Sequence, residues 1–165
     1  MVVVSECRFR RARREDLAAI VALLAEDVLG QNRENAAEPL DESYVAAFTA
    51  ITSDPNQLLA VGELNDEIVA TCQVTVVAGL SRRGALRGQI EAVRIRADQR
   101  GAGLGETLFQ WAIARCRERG CSIVQLTSDK SRKDAHRFYE RLGFSASHEG
   151  FKLPLEDEAE GKRSL

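Results

Sequence analysis

Between Gln89 and Gly120 the chain reads QIEAVRIRADQRGAGLGETLFQWAIARCRERG, and no other stretch restricts the fold so tightly. Ile90 to Ile95 is an apolar run suited to a strand, and a short polar turn then leads to glycines at 101, 103 and 105. Leu104, Leu108, Trp111 and Ala112 follow at helical spacing, with Phe109, Ile113 and Cys116 widening the stripe. Arg115, Arg117 and Arg119 crowd the end of this helix and Gly120 closes it, which are the usual stop signals. Strand, glycine loop and helix are expected in that order.

The start of the helix is where chemistry is expected. Its first turn carries backbone N–H groups without intrahelical acceptors and a partial positive charge, so it attracts anions. Glycines there let the backbone approach a diphosphate closely and adopt positive φ where needed. Arg100 adds a cation beside the loop. The loop ends Gly105-Glu106-Thr107, so it lacks the Gly-Lys-Ser/Thr with which nucleotide P-loops reach a β- or γ-phosphate. From Gly101 the spacing is G-x-G-x-G rather than G-x-G-x-x-G, and no acid stands near Cys121 to hold a ribose. The plainer reading of these glycines is a helix cap alone.

With 165 residues the chain is long enough for one full core, and one domain over residues 1–155 is expected, with a disordered charged tail at 156–165. A net charge of -2 gives no electrostatic footprint for nucleic acid, so no nucleic-acid partner is expected. The apolar start Met1 to Val4 is too short for a signal segment, and no run approaches a membrane span. Cys7, Cys72, Cys116 and Cys121 show no C-x-x-C spacing, so neither a disulfide framework nor a metal site is expected. A cytoplasmic protein without a membrane partner fits these features.

Phe9 to Ala12 suits a first strand, and Glu15 and Asp16 open a helix with Leu17, Ile20, Val21, Leu24 and Val28 on one face, ending near Gly30. Gln31 to Asp41 reads as a loop and Glu42 to Ile51 as a short helix. Gln57 to Glu63 and Glu67 to Val77 flank Leu64-Asn65-Asp66, a hairpin pattern. Ala78 to Gly88 is a Gly- and Arg-rich connector, either solvated or a flap over a substrate. Ile123 to Leu126 is a further strand, and Ser131-x-x-Asp134 suits a capping box ahead of a helix bearing Ala135, Phe138, Tyr139 and Leu142. Phe144 to Leu153 is read as a final strand or hairpin arm.

Two segments then point the same way. Arg100 to Gly105 matches R-x-x-G-x-G, and Ala135 to Phe144 matches A-x-x-F-Y-x-x-x-G-F, in that order. Together they resemble the two signatures of the GNAT acetyltransferase superfamily. The resemblance implies an α/β (α+β) fold: a mixed, twisted, mostly antiparallel sheet of six to seven strands with helices on both faces. It further implies acetyl-CoA as co-substrate, held where two strands splay apart. Carried over to this chain, the backbone of Val93, Arg94 and Ile95 pairs with the pantetheine arm. Arg100 and the segment Gly101, Ala102, Gly103, Leu104, Gly105 and Glu106 hold the pyrophosphate. Tyr139 matches the tyrosine facing the coenzyme sulfur. Arg132 stands where many relatives have a coenzyme-contacting Asn, which puts one polar contact in doubt.

The implied reaction is acetyl transfer to a primary amine by direct attack in a ternary complex. An amine of pKa about 10.4 must lose its proton first. A phenol of pKa about 10 keeps its proton at neutral pH, so Tyr139 suits protonation of the leaving thiolate. Glu91 is the candidate base: strand parity puts it on one face with Val93 and Ile95, and half-burial would raise its pKa. The competing role for Glu91 is pairing with Arg87, Arg94 or Arg100. His136 and His148 read as surface or packing residues, and the cysteines receive no nucleophilic role. The acceptor, a small-molecule or peptide amine, is expected to meet 31–50, 78–88 and the C-terminal strand. The resemblance also admits a homodimer, and the other class considered is a non-catalytic acyl-CoA-binding or sensing module.

Overall fold

The computed structural model describes residues 6–26 and 33–155, in two compact units, Met1–Leu126 and Thr127–Leu165. The reading of residues 156–165 as a tail, and of Val28 and Gly30 as the end of the first helix, falls outside the described residues.

The first unit is built on one sheet. Strands β1 (Arg8–Arg11), β2 (Gln57–Leu64), β3 (Glu67–Val77), β4 (Leu86–Ile95) and β5 (Cys121–Gln125) lie side by side in sequence order. The first three pairings are antiparallel and β4–β5 is parallel, so the sheet is mixed and mostly antiparallel as expected. The β2–β3 turn is a two-residue loop in which Asn65 and Asp66 both take positive φ (52° and 65°), the backbone that a tight hairpin demands. The strand count is a correction. Among the described residues five strands form rather than six or seven, because 144–155 makes no strand. Among the described residues the second unit contains one helix and no strand. Phe151, Leu153 and Leu155 are accordingly 92%, 83% and 89% exposed.

The core lies under helices α1 (Leu17–Ala25) and α2 (Glu42–Ser53). Leu17, Ile20 and Val21 from α1 and Phe48 from α2 meet Leu59 and Val61 of β2, all buried. The spacing of these positions is what the sequence pattern requires of one helix face and one strand face. Helix α4 (Leu104–Glu118) buries Leu108, Phe109, Ala112 and Cys116. At Gly88 of β4 an added Cβ would stand 2.4 Å from Cys116 Sγ, so a glycine is what lets α4 approach the strand. The connector between β3 and β4 carries the one-turn segment α3 (Ser81–Gly84), in which Arg82 and Arg83 take left-handed backbone (φ 54° and 60°).

One charged cluster is built into this unit. The Arg10 guanidinium donates to both carboxylate oxygens of Asp16 (2.7 and 3.0 Å) and to Glu63 (2.8 Å). The Arg13 backbone N–H also donates to Asp16 (2.7 Å). Burial alone would push the Asp16 carboxyl up, but the hydrogen bonds from Arg10 and Arg13 outweigh it and hold the carboxyl below its ordinary value. The stabilisation is thus present above the carboxyl's unfolded value and is lost as pH falls through the lower folded one. Asp16→Asn should cost about 2–4 kcal/mol at neutral pH, since Arg10 loses its buried partner. Urea melts from neutral to acid pH should show the native chain losing this increment below about pH 4, with a flatter profile in the variant.

The second unit holds α5 (Lys133–Arg141). The capping box is not used: Ser131 donates its hydroxyl and its N–H to Asp129 (2.6 and 2.9 Å), and Arg132 is the N-cap. The other end follows the sequence closely. Gly143 (φ 91°) donates to Glu140 O (3.0 Å) and Phe144 to Tyr139 O (3.0 Å), closing the helix in a Schellman motif.

Candidate active site

The sequence-predicted residues of the first unit converge on the C-terminal end of β4. Parallel pairing with β5 runs from Leu86↔Cys121 to Gln89↔Gln125 and stops there, because β5 ends. β4 continues to Ile95, and among the described residues no strand pairs with that edge past Gln89. On its other edge the register jumps from Gln73↔Glu91 to Thr71↔Arg94, so Cys72 faces two residues, Ala92 and Val93. Ala92 takes φ 50°, left-handed for a residue that is not glycine. This is a β-bulge, which bends a strand and re-aims the side chains beyond it.

The bulge corrects one expectation. Alternation along β4 was to place Glu91 on a half-buried face with Val93 and Ile95, but the extra residue breaks the alternation and Glu91 is exposed. Two of the three arginines expected to pair with it, Arg94 and Arg100, make bonds to the strand itself. Arg94 Nη1 donates to Val93 O (2.8 Å), and Arg100 Nε donates to Ile95 O (3.0 Å). The strand carbonyls assigned to a bound ligand are therefore held by the chain's own guanidinium groups.

Beyond β4 the chain makes a 3-10 turn at Ala97–Gln99 and enters the glycine loop. Arg96 fixes the turn by donating to Asp98 (2.7 and 3.0 Å) and to Glu67 (2.9 Å). The Arg96 bonds also hold the Asp98 carboxyl below its usual range. Glu26, which the sequence reading passed over, accepts from Ala97 N–H (3.2 Å) and ties the end of α1 to this turn. Gly101 and Gly103 both have φ of 82°, and a Cβ at either would meet nothing within 4 Å. Gly103 is the N-cap of α4 and brings no capping side chain. The first helical bond is Thr107 N–H to Gly103 O (3.1 Å), which leaves the N–H groups of Leu104, Gly105 and Glu106 without intrahelical acceptors. Open space, orphan donors and a helix dipole fit a diphosphate.

In the second unit Tyr139 is half-buried on α5, edge-on to Phe138 (5.6 Å) and Phe144 (6.2 Å). Its neighbours hold its ring, and the Gly143-Phe144 end of the second signature is a helix cap as much as a site element. Arg132 is exposed at the N-cap and accepts from His136 N–H (3.1 Å). His136 has its ring nitrogen 2.9 Å from Asp129 O, which gives it a structural partner. Burial pushes the Cys72 thiol up to about 12 and the Cys116 thiol up to about 11, so both are packing groups rather than nucleophiles. Among the described residues no cluster of three or more His, Cys, Asp or Glu is placed to hold a metal ion, and no helix is long and apolar enough to cross a membrane.

A family model for the acetyltransferase (GNAT) family matches residues 18–144. The chain belongs to that family. The aminoalkylphosphonate N-acetyltransferase of Salmonella typhimurium is 29% identical over 154 residues, 93% of this chain and 94% of the relative. Glucosamine 6-phosphate N-acetyltransferase of Trypanosoma brucei brucei is 36% identical over 88 residues, 53% of this chain and 58% of the relative. Among solved structures, a transcriptional regulator from Bacillus halodurans C-125 superposes with a TM-score of 0.89 at 48% identity, covering 91% of this chain and 100% of that one. This GNAT protein is thus an acetyltransferase, of a family whose acetyl donor is acetyl-CoA. The enzymatic reading holds over the non-catalytic module.

The GNAT signature contains no hint of the bulge, since Ala92 carries none of the glycine that marks a positive φ in sequence. Ala92→Gly should relieve left-handed strain and raise stability by about 1 kcal/mol. A higher urea midpoint with an unchanged slope is the expected reading, and an unchanged or lower midpoint would deny that the backbone is strained there.

Proposed function

We propose that this acetyltransferase moves the acetyl group of acetyl-CoA to the primary amine of a small molecule that also carries a phosphonate or phosphate group. The observation that carries the coenzyme half is the pairing of two features: an open β4 edge past Gln89, and the unsatisfied N–H groups that begin α4. In this reading the backbone of Val93, Arg94 and Ile95 takes the pantetheine arm as an added strand, and its amides replace the bonds from Arg94 and Arg100. Arg100 is then free to join Gly101, Ala102, Gly103, Leu104, Gly105 and Glu106 around the pyrophosphate. Arg132 contributes a cation where relatives carry an amide. The acceptor half is supported by the two named relatives, whose substrates both join an amine to a phosphorus oxyanion.

The chemistry is direct attack in a ternary complex. Glu91, exposed beside the bulge, takes the ammonium proton through water rather than as a buried base. Backbone N–H groups at the end of β4 stabilise the oxyanion, and Tyr139 gives its phenolic proton to the departing thiolate.

Calorimetry with acetyl-CoA tests the coenzyme site. Gly103→Glu should abolish the heat of binding, since the new side chain meets open space but brings negative charge to the diphosphate position. The positive φ there costs about 1 kcal/mol of stability, so the variant's fold is verified by circular dichroism well below its melting point. Retained binding would remove the loop from the site. Thiol release with 2-aminoethylphosphonate and glucosamine 6-phosphate should exceed that with ethanolamine and glucosamine about tenfold or more in kcat/KM. Equal rates would reject the anionic acceptor. With the best acceptor, Tyr139→Phe should lower kcat by roughly 100-fold or more and leave coenzyme affinity unchanged; an unaltered kcat would exclude Tyr139 as the acid.

A further inference from the structure

A cavity of about 390 Å³ opens on the first unit, away from the glycine loop. It lies between β1–β3 and the C-terminal half of α4, from Trp111 to Arg119. Arg115 is nine residues past Glu106, so roughly 14 Å of helix separates it from the orphan amides. Leu58 and Val74, which oppose each other in the β2–β3 register, form its floor with Val76. Phe9 and Trp111 form a wall, their rings 5.9 Å apart, and both are only half-buried. The same strand's Leu59 and Val61 face the covered core on the other side of the sheet, so β2 is apolar on both faces; on the cavity side Ala60 is buried but Leu58 is only half-buried.

The rim is cationic. Arg115 lies over the Trp111 ring at 5.4 Å and is paired with Glu118. Its Nε is buried and has no hydrogen-bond acceptor among the described residues. A buried charged donor left in this way carries a desolvation penalty that an incoming acceptor would offset. Arg119 donates to Pro55 O and Arg11 to Gln57 O (3.4 Å), one bond each from five-donor groups. Asp54, near Arg119, already accepts from Asn56 N–H (2.8 Å) and Gln57 Nε2 (3.1 Å). Arg10, also on the lining, is neutralised by Asp16 and Glu63.

An apolar floor, an aromatic wall and arginine forks at the mouth select one kind of ligand. We propose that this cavity is a second binding site, separate from the coenzyme site, for a small aromatic anion, its ring against Trp111 and Phe9 and its carboxylate or phosphate on Arg11, Arg115 and Arg119. The volume holds one ring system with its acid group, in the range of small-molecule pockets. Guanidinium forks match carboxylate and phosphate alike, so both belong to the class.

The chain has a single tryptophan, so Trp111 emission reports occupancy directly. The full-length protein is titrated with phenylacetate, phenyl phosphate, benzyl alcohol and inorganic phosphate, with and without saturating acetyl-CoA. At least one aromatic anion should give a saturable change that acetyl-CoA does not displace, and which of the two binds tighter identifies the acid group. Benzyl alcohol and inorganic phosphate should bind about tenfold or more weakly, each lacking half of the recognition. Arg11→Ala with Arg119→Ala, both at exposed positions, should weaken binding by a further factor of about ten. Val76→Phe, which fills the floor, should abolish it, and circular dichroism verifies that both variants fold. The proposal is overturned by the absence of a saturable change, by equal response to the neutral alcohol or to bare phosphate, or by competition with acetyl-CoA. Undiminished binding in either folded variant would equally exclude this cavity.

Discussion

The working end of the first unit depends on a mismatch in hydrogen bonding: β4 is longer than the β5 strand beside it. Where β5 ends, the outer edge of β4 has main-chain groups with no strand to satisfy them, and a sheet edge of that kind accepts whatever extended chain is offered. The chain meets the need internally through Arg94 and Arg100, each giving one side-chain donor to a strand carbonyl. Bonds from a charged donor are individually worth about 1.5–3 kcal/mol, and a ligand that brings amides of its own offsets part of what it displaces. Immediately after this edge come the bare N–H groups of α4, so two unsatisfied surfaces stand in sequence along one path.

Holding that path in place takes rigid support. Arg96 locks the turn between strand and loop through Asp98 and Glu67, and Glu26 anchors it to α1. Gly88 admits Cys116 of α4 against β4, which sets how near the helix lies to the strand. The Arg10–Asp16–Glu63 cluster joins β1, β2 and the start of α1. Each device is a polar or steric detail at the end of an element, while apolar burial at Leu17, Ile20, Phe48 and Val61 supplies the bulk of the stability.

The legible parts were those in which local chemistry suffices. Glycine spacing at 101–105, the arginines and Gly120 at the end of α4, and the Asn65-Asp66 hairpin all act over a few residues, and the structure shows each where the pattern placed it. The Gly143-Phe144 pair was legible for a second reason, because its Schellman cap is itself a local motif. The misjudged parts required a partner to be known. Phe144 to Leu153 reads as a final strand or hairpin arm, yet a strand exists only beside another. Ser131 could cap α5 or bond Asp129, and only the turn geometry chose.

Sequence alone determined the glycine-led start of α4, the order of the elements and the family to which they belong, because glycine backbone freedom and helix stop signals are properties of the segment itself. Tertiary structure decided the exposure of Glu91, the break in pairing at Ala92 and the cavity beside Trp111. Those outcomes depend on register between strands far apart in the chain, and one extra residue on one side of a ladder turns every side chain beyond it to the other face.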